Sequence, residues 1–336
     1  FCFAVDEVFE LVEVLRWAGD VAGVVSPPGG VGEWEEGEWG VVEECGYYEV
    51  GFEWGPPPGD VHGLDSHTVV VDFGGVSVIV ATGALVGRVS GVVPGLPARW
   101  LGVRFNFLLE GGLPGGSRLY WRSAFLDRAF DASFDLEAAR DEVRLHVEGV
   151  LAGAWDGGGT LVVDGPVFRA AAAVERGGDY GVLYRRFIEE RVRAFGGRRV
   201  VGVVKRLDRS SYLARCVGVG ANDEVAVLRL LEGRVGFVGP VVVRVGGFVK
   251  WMYYVAVPSG RGVRVVRVEA LEEGLAAEAA RWVPSLSNPF GVPVPVAVAD
   301  RIARRLNASI VKMIYAASPV EPTYRGLEAV FEAFRS

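Results

Sequence analysis

Residues 145–166, LHVEGVLAGAWDGGGTLVVDGP, hold the end of an amphipathic stretch, a Gly-rich turn and a short apolar run that stops at Asp164. Thr160 to Val163 reads as a buried strand, and Asp164-Gly165 reads as its exit turn. Glu148 lies earlier, on the helix that leads into the turn, so both carboxylates can meet at one strand end. A second run of this kind lies upstream in HTVVVDFGGVSVIVATG, where Val69 to Val71 lead into Asp72. A turn at Phe73-Gly74-Gly75 and the run Val76 to Val80 follow. Three acids on neighbouring elements point to a metal site.

Moving outward, residues 68–72 and 76–81 read as a hairpin and Trp100–Leu109 as a third strand. Residues 133–152 read as a helix with a buried stripe of Leu136, Ala139, Val143, Val147, Val150 and Leu151, and Glu148 at its edge. An Arg-rich helix from about Tyr180 to Phe195 and a strand from Arg199 to Lys205 come after Asp164. Val-rich strands are expected across 213–256 and a helix from Val268 to Trp282. A Pro-rich turn then leads into a helix carrying Asp300, and an amphipathic helix spans about Arg325 to Phe334. At the other end, residues 4–18 form an amphipathic helix, and 30–56 are rich in Pro, Gly and Trp. That segment is either a packed flap or a partner-binding arm. The chain thus divides into an N-terminal helix and irregular segment (1–64), an α/β domain (65–315) and a C-terminal helix (316–336).

Composition bounds the function. A chain of 336 residues, half of them hydrophobic, buries a large core. The net charge of -7 argues against a basic nucleic-acid coat but not against an acidic site flanked by local arginines. Cys2, Cys45 and Cys216 are far apart and odd in number, which supports neither a disulfide framework nor a zinc knuckle and makes a reducing cytoplasm the default. No apolar run approaches the ~20 residues of a membrane helix. His62, His67 and His146 show no metal-ligand spacing, VGVGAND (217–223) lacks the third glycine of a dinucleotide fingerprint, and no nucleophile elbow is present.

Taken singly, each acid has an ordinary explanation. An Asp-Gly after a strand is more often a turn than a ligand, and Glu148 or Asp300 on a helix flank is ordinarily solvated. Asp72, between Val71 and Phe73, is more telling, because a charge inside an apolar run is costly unless paired or coordinated. What distinguishes the four is their order: strand with Asp72, helix with Glu148, strand with Asp164, late helix with Asp300. Ribonuclease H-like nucleases supply carboxylates in that order. Two hard divalent ions roughly 4 Å apart offset the mutual repulsion of such acids, activate a water and stabilise the leaving oxygen of a phosphodiester.

VVVDFGG, the Arg144 and Glu148 pair in RLHVE, TLVVDGP, VVGVVKR and GVPVPVAVAD together resemble the NurA family of archaeal DNA-end-processing nucleases, over most of residues 65–310. The resemblance implies a ribonuclease H-like mixed sheet flanked by helices, with an N-terminal helical and irregular appendage. It further implies a homodimer, 5′ to 3′ exonuclease and single-strand endonuclease activity in DNA end resection, two Mn²⁺ ions per site with Mg²⁺ as substitute, and a HerA-type hexameric translocase as partner. On this reading Asp72, Glu148, Asp164 and Asp300 ligate metal and Lys205 binds phosphate. Arg206, Arg185, Arg186, Arg198 and Arg199 widen the basic approach to DNA. The chain departs from the family pattern where Val292 replaces a tyrosine and Asp300 a histidine. A catalytically weakened subunit that keeps the fold is therefore the alternative.

Overall fold

The computed structural model describes residues 2–22, 41–44, 48–73, 75–87, 91–93, 101–105, 136–169, 178–260 and 262–335. Its centre is a mixed sheet of eleven strands. The long hairpin β3 (Val61–Asp72) and β4 (Val76–Gly87) is antiparallel, and β5 (Gly91–Val93) and β6 (Leu101–Phe105) both pair with β4. On the other side of β3, β7 (Thr160–Asp164) and then β8 (Val200–Val204) run parallel to it. Three antiparallel strands followed by two parallel ones make up the ribonuclease H-like core. A meander of β9 (Gly236–Val245), β10 (Phe248–Ser259) and β11 (Gly262–Ala270) extends the sheet beyond β8, and β1 (Val41–Glu44) and β2 (Glu49–Gly51) pair with β9.

Both faces of the sheet are covered, which explains why β7 and β8 read as unbroken Val runs rather than alternating ones. One face packs on α2 (Leu136–Ala154), α3 (Gly178–Phe195) and two short helices, α4 (Tyr212–Cys216) and α5 (Asp223–Leu230). Within α2, Val143, Val147 and Leu151 are buried as the helical period requires. The opposite face packs on α6 (Glu273–Leu286) over the meander. There too α7 (Val294–Ala317), α1 (Cys2–Ala22) and α8 (Tyr324–Arg335) cover the β3–β4 end.

Three local expectations change. The Val-rich stretch from 213 opens with α4 and α5 rather than strands, because Asn222 caps α5 by accepting the Val225 amide at 3.1 Å and Asp223 organises both helices. The helix expected from Val268 begins only at Glu273, since Val268 to Ala270 finish β11 in register with β8 and β10. Short strands occupy 41–44 and 49–51 where the composition reads as irregular, while most of the Trp-rich part lies outside the described residues. Cys216 is disulfide-bonded, although the odd number and wide spacing of the cysteines do not by themselves support a disulfide framework.

Candidate active site

Sheet register builds the site. Parallel pairing of β3 with β7 runs from Val61 opposite Thr160 to Leu64 opposite Val163, which makes Asp65 and Asp164 the next lateral neighbours. There β7 ends, whereas β3 continues beside β4 to Asp72. The sheet therefore divides at Asp65 and Asp164 and leaves a notch. Gly165 turns the chain away with φ 97°, a left-handed conformation that a side chain would oppose.

Strand alternation sorts the neighbours by face. Gly63, Asp65 and His67 face α7, while Ser66 and Thr68 face α2, where Ser66 Oγ donates to Glu148 and Arg140 donates to Thr68 at 3.3 Å. Helix α7 approaches β3 very closely. A Cβ on Gly63 would stand 2.2 Å from the Pro295 carbonyl carbon. Thr82 Oγ1 donates to the Ala303 carbonyl at 2.7 Å, and Asn307 donates to the His67 and Val80 carbonyls at 3.1 and 2.9 Å.

Asp65 is 5% exposed and its Oδ2 has no hydrogen-bond partner. Burial, with the charge and hydrogen bond of Asp164 and the more distant Glu148, pushes its carboxyl up to about 9 against the opposing pull of Lys205. Asp65 is thus held protonated beside Asp164 in the notch, and a hard cation would replace that proton. Lys205 Nζ donates to Asp164 Oδ2 at 2.6 Å. Across the sheet Glu148, 1% exposed, is clamped by Arg191 at 2.5 Å and Arg144 at 3.8 Å. Burial alone would raise the Glu148 carboxyl, but Arg191, Arg144 and the Ser66 hydroxyl together hold it below its ordinary value. Asp300 on α7 accepts from Arg304 at 2.7 Å, and the Arg304 charge reaches Asp65 and Asp164. Burial and Arg304 keep His67 below its ordinary value, with Asp300 opposing, so a neutral imidazole faces α7 near Asp65.

The structure brings Asp164, Lys205 and Glu148 around Asp65, but not Asp72. That residue sits seven positions further along β3, ~23 Å away at roughly 3.3 Å per residue. An odd separation also puts it on the opposite face. Its carbonyl accepts from the Thr323 amide at 2.8 Å and packs against α8. Arg198 and Arg199 precede β8, at the end of the strand remote from Lys205. There Arg198 donates to the Ala152 carbonyl and Arg199 to Glu278 and Thr160. Arg185 and Arg186 are exposed on α3, with Arg186 paired to Glu189 at 2.9 Å, and Arg206 is exposed beside Lys205. Asp65 escaped the sequence reading because GLDSHT offers a polar stretch, whereas VVVD offers a clean apolar run.

Among the described residues, no three His, Cys, Asp or Glu side chains are gathered tightly enough to enclose an ion. The Asp65–Asp164 pair does fit one divalent cation, since it offers only oxygen donors and one of them is buried without a hydrogen-bond partner.

The profile of the NurA domain matches residues 59–305, well over half of the chain and including β3, α2, β7 and β8. The chain belongs to the NurA family. NurA proteins are nucleases, and the chain's mixed sheet with flanking helices is their fold. The NurA nuclease from Sulfolobus solfataricus is similar over 91% of this chain and 95% of its own, with 13% identity and a TM-score of 0.48. A NurA solved with manganese is similar over 80% of this chain and 92% of its own, at 10% identity and a TM-score of 0.46. A NurA bound to dAMP and manganese is similar over 88% and 90%, at 9% identity and 0.44. No curated protein matches the chain.

Proposed function

We propose that this NurA chain is a divalent-ion-dependent DNA nuclease whose ion is held by Asp65 and Asp164 where the sheet divides. The observation that carries this reading is the pairing of two carboxylates where the sheet divides, buried Asp65 and part-buried Asp164, with Asp65 Oδ2 left without a hydrogen bond. When bound, the ion supplies Lewis-acid stabilisation of a phosphate and lowers the pKa of its water. Lys205 orients Asp164 and adds a positive charge beside the phosphate, and Arg206 extends it. Ser66 and the arginines hold Glu148 at the rear of the notch.

The family resemblance supports manganese as the first ion to test, and strand ends as substrate. It also supports 5′ to 3′ exonucleolytic and single-strand endonucleolytic cleavage in end resection, a homodimer, a hexameric HerA-type translocase as partner and action in the cytoplasm. A second ion requires Glu148 or Asp300 to leave an arginine, so one ion per notch is the simpler expectation. Those two occupied acids favour the alternative, a catalytically weakened subunit. End-labelled single- and double-stranded DNA incubated with Mn²⁺, Mg²⁺ or EDTA separates the two. Ion-dependent cleavage that Asp65→Asn and Asp164→Asn abolish supports the nuclease, and a folded protein that titrates no Mn²⁺ by calorimetry sinks it.

A further inference from the structure

Helix α7 is fixed on β3 at two points. Its backbone at Pro295 abuts Gly63, and Asn307 Nδ2 donates to the His67 carbonyl at 3.1 Å. Asp65 lies midway between Gly63 and His67, as Arg301 does between Pro295 and Asn307, so the helical turn from Asp300 to Arg304 passes over Asp65. Ala299 and Ala303, both fully buried, face the sheet and allow the close approach, and Asp300 and Arg304 share the adjoining flank of the helix. Val61, Val162, Val201, Val203 and Val296 are buried together on this side of the sheet, so strand alternation turns Asp65, Asp164 and Lys205 towards the same face. Arg304 is held by one nitrogen only. Its Nε donates to Asp300 Oδ1 at 2.7 Å, and among the described residues its two Nη groups have no acceptor. The hydrogen bond to Asp300, with the charges of Asp300, Asp65 and Asp164, holds the guanidinium above its ordinary value against the opposing effect of burial, which places both notch carboxylates within its electrostatic reach. An exposed pair of this spacing adds little to stability, but it fixes where the guanidinium points.

We propose that Arg304 grips the reacting phosphate from α7 while Lys205 holds it from the sheet, and that Asp300 is a positioning residue for Arg304 rather than a metal ligand. The inference rests on the nuclease reading and deepens it. Lys205 is a point charge already committed to Asp164 at 2.6 Å, whereas the two Nη groups of Arg304 offer a fork that matches two phosphate oxygens. Negative charge builds on those oxygens as the phosphodiester is attacked, so a guanidinium aimed beforehand stabilises the transition state more than the bound substrate. Recruiting Asp300 to a metal would break its bond to Nε and release the fork from its orientation.

The test measures cleavage of end-labelled single-stranded DNA with Mn²⁺ by the full chain and by Arg304→Ala, Arg304→Lys and Asp300→Asn, with Mn²⁺ also titrated into each by calorimetry. Arg304→Ala is expected to lose about 100-fold in kcat with a much smaller change in KM. Guanidinium chloride at low concentration should restore about tenfold of that loss, because the free ion can occupy the vacated position. Arg304→Lys keeps the charge without the fork and should fall between wild type and Arg304→Ala. Asp300→Asn should lose about tenfold in kcat, while all three variants bind Mn²⁺ within about threefold of wild type. A folded Arg304→Ala that cleaves as fast as wild type, or whose loss guanidinium does not restore, overturns the assignment of Arg304 and leaves the nuclease reading standing. Loss of about tenfold or more in Mn²⁺ affinity in Asp300→Asn makes Asp300 a ligand and overturns its positioning role. A wild-type chain that neither titrates Mn²⁺ nor cleaves DNA overturns both this inference and the nuclease reading.

Discussion

Asp65 carries the sharpest consequences at the scale of single residues. Its carboxyl stands near 9 in the folded chain against 3.8 ordinarily, so between those values the unfolded chain holds fewer protons than the folded one. Stability contributed there is full below about pH 4 and lost as pH rises through 9. Asp65→Asn removes that penalty and is expected to stabilise the metal-free chain by roughly 1–3 kcal/mol at pH 7 while abolishing Mn²⁺ binding. A purely structural Asp65 would show the opposite sign in a denaturant titration. Mn²⁺ binding should also release about one proton per ion at neutral pH, read by calorimetry in buffers of different ionisation enthalpy. Asp72→Asn, by contrast, should leave cleavage within a fewfold of wild type, because its strand end meets α8 and not the notch. Glu148 was legible as a helix-borne acid, and its burial against Ser66 and Arg191 was not, since both partners are distant in sequence.

The elements set the geometry those residues need. Helix α7 lies so close to β3 that Gly63→Ala forces the two backbones apart, at a cost of about 1–3 kcal/mol. Because Asp65 is two residues further on the same face, the same variant should lose cleavage more steeply than stability. Paired thermal melts and initial rates check this. On the other side, Lys250, Arg267 and Glu269 are fully buried, tying β10 and β11 together. Lys250 donates to both Glu269 oxygens at 3.0 and 2.9 Å, and Arg267 donates to Glu269 at 2.7 Å and to Ser210 at 2.7 Å. Asp223 accepts from the Tyr212 and Ala214 amides at 3.1 and 2.9 Å and from Ser210 and Tyr254. Two cations and two anions balance, and the network anchors α4 and α5 to the sheet. Glu269→Gln leaves two buried cations short of an anion and should cost about 3–5 kcal/mol in chemical denaturation. None of this was readable along the chain, where 213–256 shows only valines between charges.

For the whole molecule, a net charge of -7 means that DNA binding must rest on local cations. With about four phosphate contacts to a single strand, affinity should fall about 50-fold between 50 and 200 mM salt, and a much steeper fall in anisotropy titrations would point to a broad basic surface instead. No helix among the described residues is long and apolar enough to cross a membrane. By itself the sequence determined the element types, their order and the presence of acids on the first long hairpin, the first inner helix, the next strand and the late helix. Those are properties of local periodicity and punctuation, and they suffice for the ribonuclease H-like class. Only the tertiary structure decided which aspartate of β3 lies beside Asp164 in the candidate site. A twelve-residue strand offers Asp65 and Asp72 on opposite faces, and the choice follows from where its parallel neighbour β7 stops, a register set by long-range pairing.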